Sequence, residues 1–485
     1  MRFSSLLLFS LGSVSLCSSS LAQAEVTTTS PQSDQTSVAV TIYNEDLALV
    51  KDNRKLSLNN GLSALSFRDV SAQIKPETAL LRSLLPNTSL QVLEQNFDFD
   101  LLTPQKLLEK HVGQQVTIIR TNPSTGAETQ ETATVLSAQD GVVLKIGNRI
   151  ETGIPGRIVY PNVPGQLKDR PTLTTQVQYK GNDQSKDSGQ TSLELSYLTG
   201  GLQWKADYVA ELSSKEDAID LSGWVTLTNT SGTAYPNAKV QLVAGDVNRV
   251  RETIRPKTMM MRSEAMVADA AMPSEQGLLE YHLYTLPRTT TIGENQTKQV
   301  ALLSAQRIPA RKELVLTGAD YYYQGQYRDV EKKQKVQVFV EFENKESSKL
   351  GLPLPKGTMR VYKKDNDGTA QFVGEDQIDH TPKNDTVRLK LGNAFDVTAD
   401  RVQTDFKNLS KPNQTQLYES AYAITLHNAK KEAVTVTVQE PINGDWKILN
   451  ESQAHKKTSA HQATWQVNVP AEGDVTLKYR VQVKY

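Results

Sequence analysis

Six histidines, at 111, 282, 380, 427, 455 and 461, are the first residues to test for chemistry, because an imidazole can move a proton or hold a metal near neutral pH. They are scattered. His455 and His461 lie six apart in a polar, lysine-containing stretch; on a strand both would share one face and could pair on zinc, whereas in a solvated loop they would not. His380, in Asp379-His380-Thr381-Pro382, has Asp396 downstream, and the two could act as acid and base; the plainer role is a histidine that fixes a turn. Met259, Met260, Met261, Met266 and Met272 are five of the seven methionines, a cluster that could bind copper(I), form an adaptable contact surface or belong to a loop in which methionine is incidental. Lys363-Lys364-Asp365-Asn366-Asp367-Gly368 resembles a calcium loop only superficially. With Gly368 at the sixth position, Lys363 and Gly374 fall where ligating carboxylates belong, so a hairpin turn is the better reading. Tyr321-Tyr322-Tyr323 with Tyr327 could line a sugar-binding edge or be ordinary strand-end aromatics.

No G-x-S-x-G, H-E-x-x-H, G-x-x-x-x-G-K-[ST], G-x-G-x-x-G or S-x-x-K occurs, so no catalytic, cofactor-binding or metal-binding signature is present. A triad assembled from distant positions leaves no local motif. An envelope hydrolase acting on glycans or peptides is therefore the alternative to a non-enzymatic role, and Asp246, His380 and Asp396 are the residues it would draw on.

Composition narrows the classes further. The chain has 485 residues, 54 basic and 54 acidic, with 38% hydrophobic residues and a mean hydropathy of -0.46. A zero net charge argues against nucleic acid as a partner, since phosphate neutralisation needs a basic excess. A single cysteine rules out a disulfide framework and any multi-cysteine metal site.

The start of the chain is a targeting device. Arg2 supplies a positive end, Leu6 to Leu16 an apolar stretch, and Ala22-Gln23-Ala24 a small-x-small site, which together predict a signal peptide over 1–24 cleaved after Ala24. Cleavage removes Arg2 and Cys17, leaving 53 basic against 54 acidic residues and no cysteine. Leu16 precedes Cys17 where lipoprotein processing requires a small residue, which argues against a lipid anchor. No other run approaches the apolar length of a membrane span. The expected location is periplasmic or secreted.

Elements must position whatever chemistry exists, and they are nearly all strands. Period-two alternation runs through Val38–Tyr43, Thr191–Tyr197, Gly223–Thr228, Val336–Phe342, Val434–Gln439 and Val475–Tyr485. Asn60-Gly61, Asp140-Gly141, Asp367-Gly368 and Asn443-Gly444 suit tight hairpins. The fold class is all-β: antiparallel sandwich-like modules with few short helices. The clearest helix has Thr103 as N-cap, Pro104 at its first position and Gly113 beyond its last turn. Four short strands follow, which suggests a small SH3-like or Sm-like barrel over 101–165. The remaining divisions are a disordered lead over 25–37, a β-rich segment over 38–100, a sandwich module over 172–329 containing a mobile methionine-rich loop at 251–277, and an Ig-like sandwich over 330–485.

From Leu198 the chain reads LTGGLQWKADYVAEL and then LSGWVTLTNTSGTAYPNAKVQLVAGDVNRV, with LPKGTMRVYKKDNDG, GEDQIDHTPKND, EPINGDW and YRVQVKY further on. This resembles a bacterial secreted family known as domain of unknown function 4139. The resemblance carries over no catalytic or binding residue. Trp204, Trp224 and Tyr208 within it are expected as core anchors, with a carbohydrate- or peptide-stacking surface as the other reading. The functional expectation is an exported cell-envelope protein that interacts with an envelope protein or a glycan.

Overall fold

Alternating sequence becomes strand over most of the chain: the computed structural model is 65% strand and 5% helix, which establishes the all-β class. It describes residues 27–485 apart from 99, 166, 182–189, 246–247, 249–273, 279–280, 328–330, 366 and 413–414. The signal peptide expected over 1–24, Asp246 and the methionine cluster lie outside the described residues. Among those that are described, no helix is long and apolar enough to cross a membrane.

The chain divides into two units, one made of residues up to Thr36, Asp52–Ala72 and Pro76–Ser196, the other of Ser37–Lys51, Gln73–Lys75 and Tyr197–Tyr485. In the first, a four-stranded sheet runs in the order Thr27–Ser30, Gly61–Arg68, Thr172–Lys180, Ser89–Asp98. Residues 27–37, expected as a disordered lead, contain a strand that pairs in parallel with Gly61–Arg68. Main-chain bonds can order a segment that has no apolar period, and here a side chain adds to them. Buried Arg54 donates to the Ser30 carbonyl at 2.6 Å and to the Arg68 carbonyl at 2.8 Å, and is paired with Asp52 at 2.8 Å. The helix Pro104–Lys110 begins as the sequence requires, with the Thr103 hydroxyl accepting from the Lys106 N–H at 3.1 Å.

After the helix comes a five-stranded antiparallel sheet in the order Arg149–Thr152, Val143–Ile146, Glu128–Ser137, Gln115–Thr121, Arg157–Val159. Leu108, Val116, Ile118, Val135 and Leu144 form its core. The barrel expected over 101–165 is thus an open sheet, because its two edge strands do not pair with one another.

The second unit contains a true sandwich. One layer is built from Glu331–Glu343, Thr386–Asn408, Leu417–Asn428, Gly473–Lys484 and Asp445–Glu451, the other from Val434–Pro441 and Gln462–Val469 beside Gln296–Thr317. Val336, Ile424, Leu477 and Val481 from the first layer meet Leu316, Val436, Trp465 and Val467 from the second in a single core cluster. The 22-residue strand Gln296–Thr317 serves more than one partner: it pairs antiparallel with Ala218–Asn229 over one half and with Glu331–Glu343 over the other, and in parallel with Val434–Pro441.

Pairing is mostly antiparallel but not wholly so, since Leu202–Leu212 lies parallel to Gly357–Lys364, and Ala39 to Ile42 run parallel to Lys239 to Leu242. Of the four expected hairpin turns, Asp140-Gly141 and Asp367-Gly368 join strands that pair with each other. Asn60-Gly61 and Asn443-Gly444 instead pass the chain between strands that do not pair.

Candidate functional site

Strand phase decides which side chains reach solvent. In Leu202–Leu212, Trp204, Ala206, Tyr208, Ala210 and Leu212 are buried, while Gln203, Lys205, Asp207, Val209 and Glu211 take the opposite face. In Ala218–Asn229 the buried phase is Ile219, Leu221, Gly223, Val225 and Leu227. Gly223 belongs there because a Cβ would come 2.8 Å from Leu303 Cγ. Trp224 is therefore turned outward and is 40% exposed. Trp204 and Tyr208 are core anchors as expected, the latter donating its hydroxyl to the Pro355 carbonyl at 2.7 Å; Trp224 is not.

Directly opposite Trp224 across the strand pair stands Asp207. A hydrogen-bonded row crosses five neighbouring strands through it. Glu375 pairs with Arg360 at 3.1 Å, Arg360 Nη1 donates to Asp207 Oδ1 at 3.1 Å, the Thr226 hydroxyl donates to Asp207 Oδ2 at 2.8 Å, and Gln299 donates to that hydroxyl at 3.2 Å. Burial opposes the charge on Asp207, but the Thr226 and Arg360 bonds outweigh it and hold the carboxyl below its ordinary range. It is a fixed acceptor, unsuited to donating a proton. Around the row, Val209 and Phe372 are exposed, and Phe372 packs edge-on against Tyr362 at 5.7 Å.

Of the residues nominated for hydrolysis, Asp246 lies outside the described residues, and the other two are not joined. His380 accepts from the Lys356 N–H at 3.2 Å, the turn-fixing role, while Asp396 is exposed on Thr386–Asn408 and no hydrogen bond or ion pair joins the two. Nor are the zinc candidates joined: His455 is held by Glu451 at 2.9 Å between the rings of Trp446 and Trp465, and His461 is exposed. Among the described residues no cluster of three or more His, Cys, Asp or Glu is placed to hold a metal ion. Asp365 accepts from the Asp367 and Thr369 N–H groups between two strands that pair with each other, which is the hairpin reading.

Two polar clusters in the second unit have no local signature in the sequence. His427 bridges Asp474 at 2.7 Å and Asp400 at 3.3 Å; burial opposes its charge, but the two carboxylates outweigh burial and raise its pKa. Inside the sandwich, Arg401 and Glu440 form a 2.7 Å ion pair with side chains 3% and 0% exposed. Tyr323 donates to Glu440 at 2.7 Å and lies 3.0 Å from the Tyr479 hydroxyl; burial and then the Glu440 charge keep both phenols protonated. Strand register, which no short motif encodes, brings these groups together.

A family model described as a domain of unknown function (DUF4139) matches residues 193–485, a span that contains the Trp224 face and the whole sandwich. No curated protein matches the chain.

Proposed function

Because the chain belongs to the DUF4139 family, whose description assigns no activity, we propose from its own surface that it is a non-enzymatic interaction protein of the cell envelope, exported by its N-terminal leader to the periplasm or beyond and docking a partner protein on the Trp224 face. One observation carries the reading: an indole 40% exposed in the middle of a sheet, beside an ordered aspartate and arginine. Trp, Tyr and Arg dominate the energetics of protein interfaces, and Trp224, Tyr362 and Arg360 share this face with exposed Val209 and Phe372. The polar row is already paired within the chain, so a partner would meet a surface that needs little ordering.

The test is crosslinking and affinity capture from envelope fractions with the wild-type chain and Trp224→Ala. Capture of a defined partner that is lost in the variant, with the denaturation midpoint unchanged, is the expected result. Recovery of the bare wild-type protein under conditions that preserve known complexes would overturn it. Export is tested separately: the mature chain should begin at Glu25.

A further inference from the structure

We propose that the open end of the C-terminal sandwich is a carbohydrate-binding site, separate from the Trp224 face, that receives a neutral sugar ring against its tyrosines.

A row of rings crosses three strands on the core-facing side of one layer and runs out to solvent. Phe406 and Tyr418 stack with centroids 5.7 Å apart, and Tyr485 follows Tyr418 at 6.0 Å. Deeper in the core, Tyr422 and Tyr479 of the same layer and Trp465 of the facing one continue the series at 5.7 and 4.8 Å and are buried. Phe406, Tyr418 and Tyr485 are only half-buried. Tyr321 and Tyr327 complete the rim, 5.6 Å apart and 48% and 37% exposed. Tyr485 lies near both groups: after burial, Asp320, Tyr418 and Tyr327 are among the neighbours that raise its pKa.

These exposed rings are held in place. The Tyr327 N–H donates to Gln403 Oε1 at 2.7 Å and its hydroxyl to the Tyr321 carbonyl at 2.7 Å. Gln403 Nε2 donates to the Gly325 carbonyl and to the Tyr422 hydroxyl, each at 3.0 Å, and Tyr422 donates to the Tyr322 carbonyl at 2.5 Å. Arg401 packs over the Tyr322 ring at 4.8 Å. The loop Asp320–Tyr323 is thereby fastened from beneath, so aromatic area is presented with little entropy left to lose on binding.

The ligand class follows from charge and from the polar atoms at hand. The charged residues of these strands take the other face of the layer, where Arg480 pairs with Asp405 at 2.8 Å and Glu419 at 2.6 Å and Lys407 lies 3.6 and 3.5 Å from the same carboxylates, so none of these four stands beside the rings. Asp320 is engaged by Asn443 at 3.2 Å. Ring faces beside amides and hydroxyls suit a sugar, whose C–H face stacks on phenols while its hydroxyls take the polar groups. Ser420, 1% exposed and between Tyr418 and Tyr422 on the same side of its strand, has a hydroxyl with no hydrogen-bond partner among the described residues.

The experiment is ligand-observed NMR on the full chain with cellohexaose, chitohexaose and maltohexaose at millimolar concentration. At least one should bind, Tyr321→Ala should weaken it about tenfold or more, and Tyr321→Trp should restore it, with denaturation midpoints unchanged. Trp224→Ala should bind as the wild type does, so failure here and failure of the partner-docking face are separate results. If Tyr321→Ala destabilises the chain, Tyr327→Phe, which keeps the ring, supplies the comparison and should bind within a few-fold of wild type. Binding of none of the three sugars, binding indifferent to Tyr321, binding that requires Trp224, or capture of a protein rather than a sugar at this rim would each overturn the proposal.

Discussion

Replacing Arg401 by methionine is the sharpest test of how the sandwich is held together. The substitution removes the guanidinium but keeps an unbranched, apolar side chain in a site 3% exposed. Glu440, fully buried, would then retain the Tyr323 hydroxyl at 2.7 Å and lose the guanidinium that offsets its charge. Breaking a buried ion pair from one side costs about 3–5 kcal/mol, because the surviving charge stays out of water. Removing both charges, as Arg401→Met with Glu440→Leu, eliminates that stranded charge. It still leaves the Tyr323 hydroxyl without its acceptor, a cost of about 1–3 kcal/mol. The double variant should therefore be more stable than Arg401→Met alone, with a coupling of about 2 kcal/mol or more. Urea denaturation followed by tryptophan fluorescence reads this directly, since Trp446 and Trp465 lie in the same core. A loss below about 1 kcal/mol for Arg401→Met, or simple additivity in the double variant, would refute the reasoning.

Other perturbations test separate parts of the structure. His427 has a folded-state pKa raised above its ordinary 6.5, so its contribution is fully present below about pH 6.5 and is lost as pH rises through the higher folded value; His427→Gln should flatten that stretch of a stability-versus-pH curve measured by urea titration. Gly318→Ala should destabilise the sandwich, because a Cβ there would collide with the Glu440 carboxylate; circular dichroism melts would show it, and an unchanged melt would remove the claim. Arg54→Met should cost about 3–5 kcal/mol and release Thr27–Ser30 to rapid hydrogen exchange, since Asp52 loses its charged partner and the Ser30 carbonyl loses the guanidinium that donates to it. Thr103→Ala should cost about 1 kcal/mol in denaturant titrations through the lost N-cap.

Local pattern carried the element types well. Val336 to Phe342 is a strand because its alternation is strict, and Thr103-Pro104 starts a helix because both residues satisfy its first turn. The direction of Trp224 was legible too, although size alone suggested burial: the residue shares its phase with Asp220, Ser222, Thr226 and Thr228, all polar. Asp207 likewise shares a phase with Gln203, Lys205 and Glu211. What local pattern could not carry was contact between distant strands. Arg360 reaches Asp207 because residues 153 apart in sequence lie in adjacent parallel strands, and Glu440 meets Tyr323 across 117 residues. Closure of the sheet expected as a barrel is a matter of the same kind, since short strands read from local pattern do not say whether the two edges of their sheet meet.

The parallel pairing of Ala39 to Ile42 with Lys239 to Leu242 also sets a timetable for folding. Thr41 and Gln241, hydrogen-bonded partners, are 200 residues apart. At roughly 5–20 residues per second, synthesis of that interval takes about 10–40 s, during which the Gln35–Tyr43 segment must wait for this partner. Contacts of such long range slow the search for the native state, and an apolar strand with an open edge invites pairing with other chains. Protection of the first strands while the rest of the chain arrives is thus a requirement that the topology itself imposes.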